Sequence, residues 1–488
     1  MVVLKAKWGK LEFDVQIIDG GELNQAARSE TILAAVNAQT NIPKDKIKIL
    51  PPSVLTCATL KDGTKITVIG TAADNQLPAA PPSTVQQTRF IEDMTEEEIA
   101  TALRLRKADP LPCGFENLGN TCYLNSVVQC LISLPDLKKR LSASGTLSGG
   151  GGNTQILAQI KQLIHTVSSA STDSISPVGF VQAVRTQFPQ FNQRDNHGHF
   201  AQQDADEFLR SLIQSLSHDI DSLFQFTVES TWKCLDSAST DPTTQSHEEL
   251  KSLTCHMGTQ LEPVSHLSEG LKASLREVIA KQSVSLGNKS VDFEKVSGLT
   301  SLPQYLIVQF ARFQWKAKSD SAGTEATKTK IVRRVTFQKT LDVYDLCTDS
   351  VKTALDVGRE RRRLLLESGA NLEDIQRPTS SDDQDKEIPT GVYELVAITS
   401  HEGRTADSGH YMSFTKRPRA PKAVEEPPAA KKPNNKSAQE DLWVKFDDDY
   451  VSETTWTAMT ETGGLLGGLA DSQMAYILFY AKTTVPKE

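Results

Sequence analysis

Cysteine is scarce in this chain. Seven residues in 488 are cysteine, at positions 57, 113, 122, 130, 234, 255 and 347, an odd number without regular spacing. Thiols this sparse do not make a disulfide framework and suit a reducing compartment. No CxxC pair occurs. Cys234 and Cys255 stand alone with His247, His256 and His266 scattered around them, so no metal or other cofactor is expected. No apolar run approaches membrane-spanning length, and the first residues, MVVLKAKWGKLEFDVQI, alternate where a signal peptide has an unbroken apolar core. Basic residues are outnumbered, 53 Lys and Arg against 61 Asp and Glu, for a net charge of −8. That balance argues against a nucleic-acid partner, which wants a basic face. With 38% hydrophobic and 23% charged residues, the composition is that of an ordinary intracellular soluble protein with free thiols and no membrane partner.

What is present is organised. Residues 2–8 read as a strand, and in LEFDVQI the apolar Leu11, Phe13, Val15 and Ile17 alternate with polar neighbours, a half-buried second strand. A helical stretch from Leu23 to Ala38 follows, then short strands around 46–50 and 65–69. A ββαββ module of this length resembles a ubiquitin-like β-grasp domain, over residues 1–75. After Gly70 the chain reads Thr71-Ala72-Ala73 instead of Gly-Gly, so the module is expected to be a fixed docking unit, not a processed modifier. Residues 76–110 are expected to be a linker, rich in Ala, Pro and Gln over 72–87, with a short helix whose capping box is Thr95 and Glu98. Residues 111–484 are expected to form one large catalytic unit. Three low-apolar stretches near 142–155, 377–391 and 417–441 read as disordered insertions in it.

The chemistry concentrates in GFENLGNTCYLNSVVQCL, residues 114–131. Leu124, Val127, Val128 and Leu131 recur at helical spacing, which sets Cys122 at the N-terminal end of a buried helix, with Pro135 helping to close it. The helix dipole and unpaired amides at that end favour an anion, so they favour a thiolate and can also receive an oxyanion. Asn117, in the preceding turn, can add a side-chain donor. A thiol needs a base. Residues 409–416 and 442–447 are both strand-like, and pairing them as an antiparallel hairpin brings His410 opposite Asp447, with the polar insertion as the hairpin loop. Alternation along WVKFDDD lets only one of Asp447 and Asp448 face His410 easily, and pattern alone does not choose. His401 is the competing imidazole, but it reads as the end of a strand over 393–400. A thiol, an imidazole and an orienting carboxylate make the generalised triad of covalent acyl transfer.

Five ordered boxes carry a family likeness: GFENLGNTCYLNSVVQCL, QQDADEFL (202–209), YLIVQFARF (305–313), SGHYMSF (408–414) and WVKFDDDYVS (443–452). Together they resemble the ubiquitin-specific proteases, and the leading β-grasp module makes the whole chain similar to a proteasome-associated type within that family. The resemblance implies an α+β architecture with a papain-like thumb, palm and fingers behind the ubiquitin-like domain. It implies Cys122 as nucleophile, His410 as general base, Asp447 as its orienting partner, Asn117 at the oxyanion and Asp448 assisting.

In AQQDADEFLRSLIQSL, Ala205, Phe208, Leu209, Leu212, Ile213 and Leu216 form one buried stripe. Gln203, Asp204 and Glu207 lie off it. Acids there complement the helix dipole, or they hold the Arg-containing, glycine-ended ubiquitin tail together with Gly409 and Tyr411. Gly409 reads as the wall of a channel too narrow for side chains. The polar loops HEGRTADSG and 316–330 are expected to cover the cleft and move aside for ubiquitin.

Fingers without metal must rely on strand pairing and apolar packing. The helix-like 355–375 stretch with RERRRLLL reads as a solvated face. The reading is a thiol isopeptidase that frees ubiquitin from conjugates at the proteasome, in cytoplasm and nucleus. The competing reading is a ubiquitin- and proteasome-binding regulator with low activity, and a general papain-like peptidase is a third.

Overall fold

The computed structural model describes residues 2–8, 11–17, 25–40, 42, 44, 47–50, 54, 63–69, 111–143, 154–170, 172–259, 261–316, 327–370, 377–378, 387–403, 408–417, 441–468 and 473–487. The expected linker and its capping box, the core of the insertions, and residues 317–326 and 404–407 of the two polar loops lie outside the described residues. The chain divides into two units, residues 1–107 and 108–488.

In the first unit a four-stranded sheet has the order Leu11–Ile17, Val2–Trp8, Lys65–Ile69, Lys48–Leu50. The two central strands run parallel and the outer pairs antiparallel. Parallel neighbours need a crossover, and the Gln25–Thr40 helix lies in that connection. Alternation in the strands puts Leu4, Ala6, Val15, Ile49, Ile66 and Val68 on one face, where they bury against Ile32 and Val36 of the helix.

The second unit is built on a large, mostly antiparallel sheet. Its path runs Tyr450–Thr455, Leu442–Asp447, His410–Lys416, Glu387–Glu402, Met474–Pro486, Tyr305–Phe310, Ser252–Cys255, the last pair parallel. The two central strands, YLIVQF and MAYILFYA, are apolar at nearly every position because both faces of the sheet are covered. Ile477, Phe479 and Ile307 face a helical core, whereas Leu478, Tyr480, Leu306 and Val308 face a second core. The helical core holds the Cys122–Ile132 and Ala205–Ser215 helices through Leu124, Val127, Val128, Phe208 and Leu212. Each such fully buried side chain contributes about 1.5–3 kcal/mol. The rings of Tyr123, Phe191 and Phe208 lock the two helices together edge to face.

A separate four-stranded antiparallel sheet has the order Arg276–Ser283, Lys289–Leu299, Phe226–Cys234, Thr244–Leu250. It relies on strand pairing as expected, with apolar packing at its base from Phe226, Val228 and Leu299 and, farther out, from the buried Phe293 opposite Cys234. Beside it, Lys281 and Lys295 lie over the Trp232 ring, and Lys281 also over Phe293.

One expectation needs correction. Residues 377–391 are not one disordered insertion. Arg377–Pro378 and Glu387–Pro389 pair with the Met474–Pro486 strand, whose length reaches past the low-apolar sequence and captures it. The polar loop 316–330 is a hairpin at its ends, Phe313–Lys316 against Thr327–Lys330. Pro135 does more than close the cysteine helix, since it opens the next one, Pro135–Ala143, where a missing N–H costs nothing. The arginines of RERRRLLL lie on the Asp349–Glu367 helix, where Arg359 pairs with Asp342, Arg363 with Glu360 and Glu367, and Arg361 donates to the Pro486 carbonyl.

Candidate active site

Asn117 organises the turn that delivers the thiol. Its side-chain Oδ1 accepts the N–H of Gly119 at 3.1 Å and of Thr121 at 3.2 Å. This local bond lets Gly119 and Asn120 take left-handed backbone, φ +86° and +53°. The Thr121 carbonyl then accepts from Leu124 and Asn125, starting the helix at Cys122. Cys122 is buried, 2% exposed, at the end of the helix where amide hydrogens point outward.

The hairpin predicted from the C-terminal strands forms, but in a different register. Pairing of Ser413 with Phe446 and Lys416 with Trp443 places His410 diagonal to Asp447, one pleat beyond the directly opposite position. Diagonal partners are farther apart at Cβ yet remain within reach of an imidazole. His410 Nε2 lies 2.7 Å from Asp447 Oδ1. That bond, and next a hydrogen bond with Cys122, push the imidazole up to about 10 against the opposing effect of burial. The same contact holds the Asp447 carboxyl below its usual range. An imidazole that stays protonated at neutral pH beside a thiol is the charge partner a thiolate needs.

Asp448 also approaches, so strand alternation does not limit the site to one acid. Asp447 pairs with Tyr450, leaving Asp448 and Asp449 as a two-residue hairpin loop, and Asp448 has φ +52°. A positive φ at that position turns its side chain out of the strand pleat. Its Oδ2 is 4.0 Å from His410 Nε2. The Asp448 carboxylate accepts from Asn117 Nδ2 and Asn125 Nδ2, each at 2.8 Å.

His401 is buried next to the end of its strand, with its ring against Tyr411 at 4.6 Å and Phe313 at 5.4 Å. Burial, then the charges of Lys330 and His410, push it down to about 3, so it stays neutral. It lies under Gly409, where φ is +137° and an added Cβ would meet His401 Nε2 at 2.7 Å. Gly409 is therefore glycine for a backbone reason that the channel argument did not contain.

The residues expected at the ubiquitin tail are placed as follows. Asp204 caps the Ala205–Ser215 helix, accepting from the Asp206 N–H at 2.9 Å, and also accepts the Tyr476 hydroxyl at 2.8 Å. Glu207 is exposed one turn along, and Gln203 bonds the Ala201 carbonyl. Asp204, Glu207, Gln309, Phe313 and Tyr476 line a cavity of about 350 Å³. Tyr411 is fully buried beneath the surface.

Two residues escaped the sequence reading. Gln202 Nε2 lies 3.8 Å from Cys122 Sγ and also donates to the Gly409 carbonyl, bridging the thiol to the histidine strand. Its position ahead of a helix carries no periodic signal. Asn125 sat unnoticed inside the cysteine helix, where a polar residue on a wholly buried turn was the available clue. Among the described residues no group of three His, Cys, Asp or Glu side chains is placed to hold a metal ion.

The arrangement is that of a thiol protease, and comparison with known proteins agrees. Residues 113–480 match the family Ubiquitin carboxyl-terminal hydrolase. Ubiquitin carboxyl-terminal hydrolase 6 of Arabidopsis thaliana is 30% identical, with 98% of this chain and 98% of that protein covered. Ubiquitin carboxyl-terminal hydrolase 6 of Schizosaccharomyces pombe is 29% identical with the same coverage. Ubiquitin carboxyl-terminal hydrolase 14 of Caenorhabditis elegans is 27% identical over 98% of this chain and 93% of its own. The chain belongs to the ubiquitin carboxyl-terminal hydrolase family, as a cysteine protease of the ubiquitin-specific protease type.

Proposed function

We propose that this deubiquitinase cleaves the bond after the terminal glycine of ubiquitin, freeing it from conjugates at the proteasome in cytoplasm and nucleus, with Cys122, His410 and Asp447 as its triad. The 2.7 Å His410–Asp447 bond, on a strand that Gln202 ties to Cys122 Sγ, is the observation that carries the assignment. Cys122 Sγ attacks the glycine carbonyl carbon while its proton resides on His410. The oxyanion is held by amides at the helix start and by the Asn117 Nδ2 hydrogen not committed to Asp448. His410 passes its proton to the departing lysine amine. Water then attacks the thioester, His410 takes its proton, and ubiquitin leaves with a free carboxylate.

Asp447 orients the ring, and Asp448 assists from 4.0 Å. Gln203, Asp204, Glu207 and Gly409 receive the ubiquitin tail, its arginine going to Asp204 or Glu207, while the buried Tyr411 supports the strand behind them and does not touch the tail. The first unit is a ubiquitin-like docking module for the proteasome. Its strand order with one helix crossover supports that reading.

A ubiquitin C-terminal electrophile tests the triad: wild type forms an adduct and Cys122→Ser does not. No Cys122-dependent adduct, even with proteasome present, sinks the enzyme assignment and favours a binding regulator. Removing residues 1–75 is expected to abolish co-sedimentation with proteasomes while sparing ubiquitin binding. Retained co-sedimentation contradicts the docking role.

A further inference from the structure

The Asp448 carboxylate is almost enclosed, its side chain 8% exposed, and it sits in a left-handed turn residue. A charge in that position needs donors on both oxygens. Asn117 supplies one and Asn125 the other, each at 2.8 Å, from opposite ends of the cysteine turn. Asn125 is 2% exposed, and its Nδ2 also points at the carbonyls of Glu116 and Phe115, at 3.2 and 3.4 Å. Those carbonyls decide which way round the amide lies, leaving its Oδ1 without a partner. The Asp448 backbone is held as well, since its carbonyl accepts the Phe115 N–H at 2.9 Å. The same carboxylate therefore ties together the turn before Cys122, the first turn of its helix and the loop after Asp447.

We propose that Asn125 is a positioning residue for the hydrolysis. It holds Asp448 so that Asp448 aims the Asn117 amide at the oxyanion and keeps its own charge beside His410. The inference rests on the Cys122–His410–Asp447 assignment. Without Asn125, Asp448 Oδ1 loses its donor, the carboxylate rotates toward His410 or water, and Asn117 Nδ2 loses the fixed acceptor that complements the Gly119 and Thr121 bonds to its Oδ1. Displacement of a catalytic donor by about 1 Å costs on the order of 10²-fold.

Two variants test it on a ubiquitin C-terminal fluorogenic amide. Asn125→Ala is expected to lower kcat about 10- to 100-fold with KM within about twofold, while circular dichroism shows a folded protein. Asn125→Asp replaces the amide with a near-isosteric carboxyl facing Asp448. Two acids that close share a proton, and the shared proton restores the missing donor. Its kcat relative to wild type is expected to rise as pH falls from 8.5 to 6, a behaviour that a purely structural defect does not produce. Wild-type kcat in Asn125→Ala, or a pH-flat ratio for Asn125→Asp, overturns the proposal. Failure of the triad assignment itself looks different, because wild type then forms no Cys122-dependent adduct with the electrophile.

Discussion

Adding one methyl group at Gly409 is the sharpest perturbation the site offers. A Cβ there would lie 2.7 Å from His401 Nε2 and 2.8 Å from Cε1, with the Glu402 carbonyl oxygen closer still. Ordinary contact is about 3.5 Å, so something must retreat by roughly 0.7 Å or more. The neighbours are not free to do so. Lys330 Nζ holds the His401 and Gly403 carbonyls at 2.7 and 3.0 Å. His401 itself is wedged between Phe313 and Tyr411. The segment that moves is then the one carrying His410. Backbone strain adds to this, because φ is +137° at a residue that must now be L-chiral. Strain of about 1–3 kcal/mol and overpacking of about 1–3 kcal/mol give a stability loss of about 2–6 kcal/mol. Displacing the imidazole by about 1 Å lowers kcat about 100-fold. Denaturant unfolding and turnover of a ubiquitin C-terminal fluorogenic amide measure the two effects separately. Gly287→Ala is the control. It has φ +69° but open space around the new methyl, so it is expected to show strain without activity loss. A Gly409→Ala protein with wild-type kcat and an unshifted midpoint refutes the reasoning.

Asp447→Asn is expected to lower kcat by about 10²–10⁴-fold and to move the alkaline limb of kcat/KM downward from the region of about 10 toward the ordinary imidazole range; an unmoved limb contradicts it. The imidazole value is raised on folding, so its stabilisation is full below about 6.5 and lost as pH rises through about 10. With both side chains 35% exposed, screening leaves about 1 kcal/mol from this pair. Asp206 is pushed up to about 6 by burial, and its Oδ1 has no partner. A raised carboxyl destabilises the fold above about 6 and is harmless once protonated. Asp206→Asn should therefore gain about 2–3 kcal/mol relative to wild type between pH 4 and pH 8, and equal stability differences at both pH values rule this out. Arg312 is wholly buried and donates to the carbonyls of Ala475, Ile331 and Arg333. Arg312→Met is expected to cost about 3 kcal/mol or more in unfolding experiments, since three acceptors lose their donor.

Much of the site was legible because its parts are local or nearly so. Helical spacing put Cys122 at a helix start, and the stripe from Ala205 to Leu216 is buried as read. Two strand-like segments were enough to bring His410 to Asp447, although hairpin register was off by a pleat, since the paired residues begin only at Ser413. The runs YLIVQF and MAYILFYA are apolar because their sheet is covered on both faces, but which helices cover it is set by packing between segments far apart in the chain. Strand membership for residues 377–378 and 387–391 was illegible, because their composition is polar and only the long partner strand holds them.

Periodicity and turn chemistry in the amino-acid order determined the Cys122 helix, the Asn117 turn and the two strands carrying His410 and Asp447, because each depends on interactions within a few residues or across one hairpin. Folding alone decided the rest. Asn125 meets Asp448 across 323 residues and Asn117 meets it across 331, Gln202 reaches Cys122 across 80, and His401 is kept neutral by what packs over it. No local pattern encodes such meetings, since they arise where the closing sheet carries the last hairpin against the cysteine helix and leaves the enclosed polar groups only each other as partners.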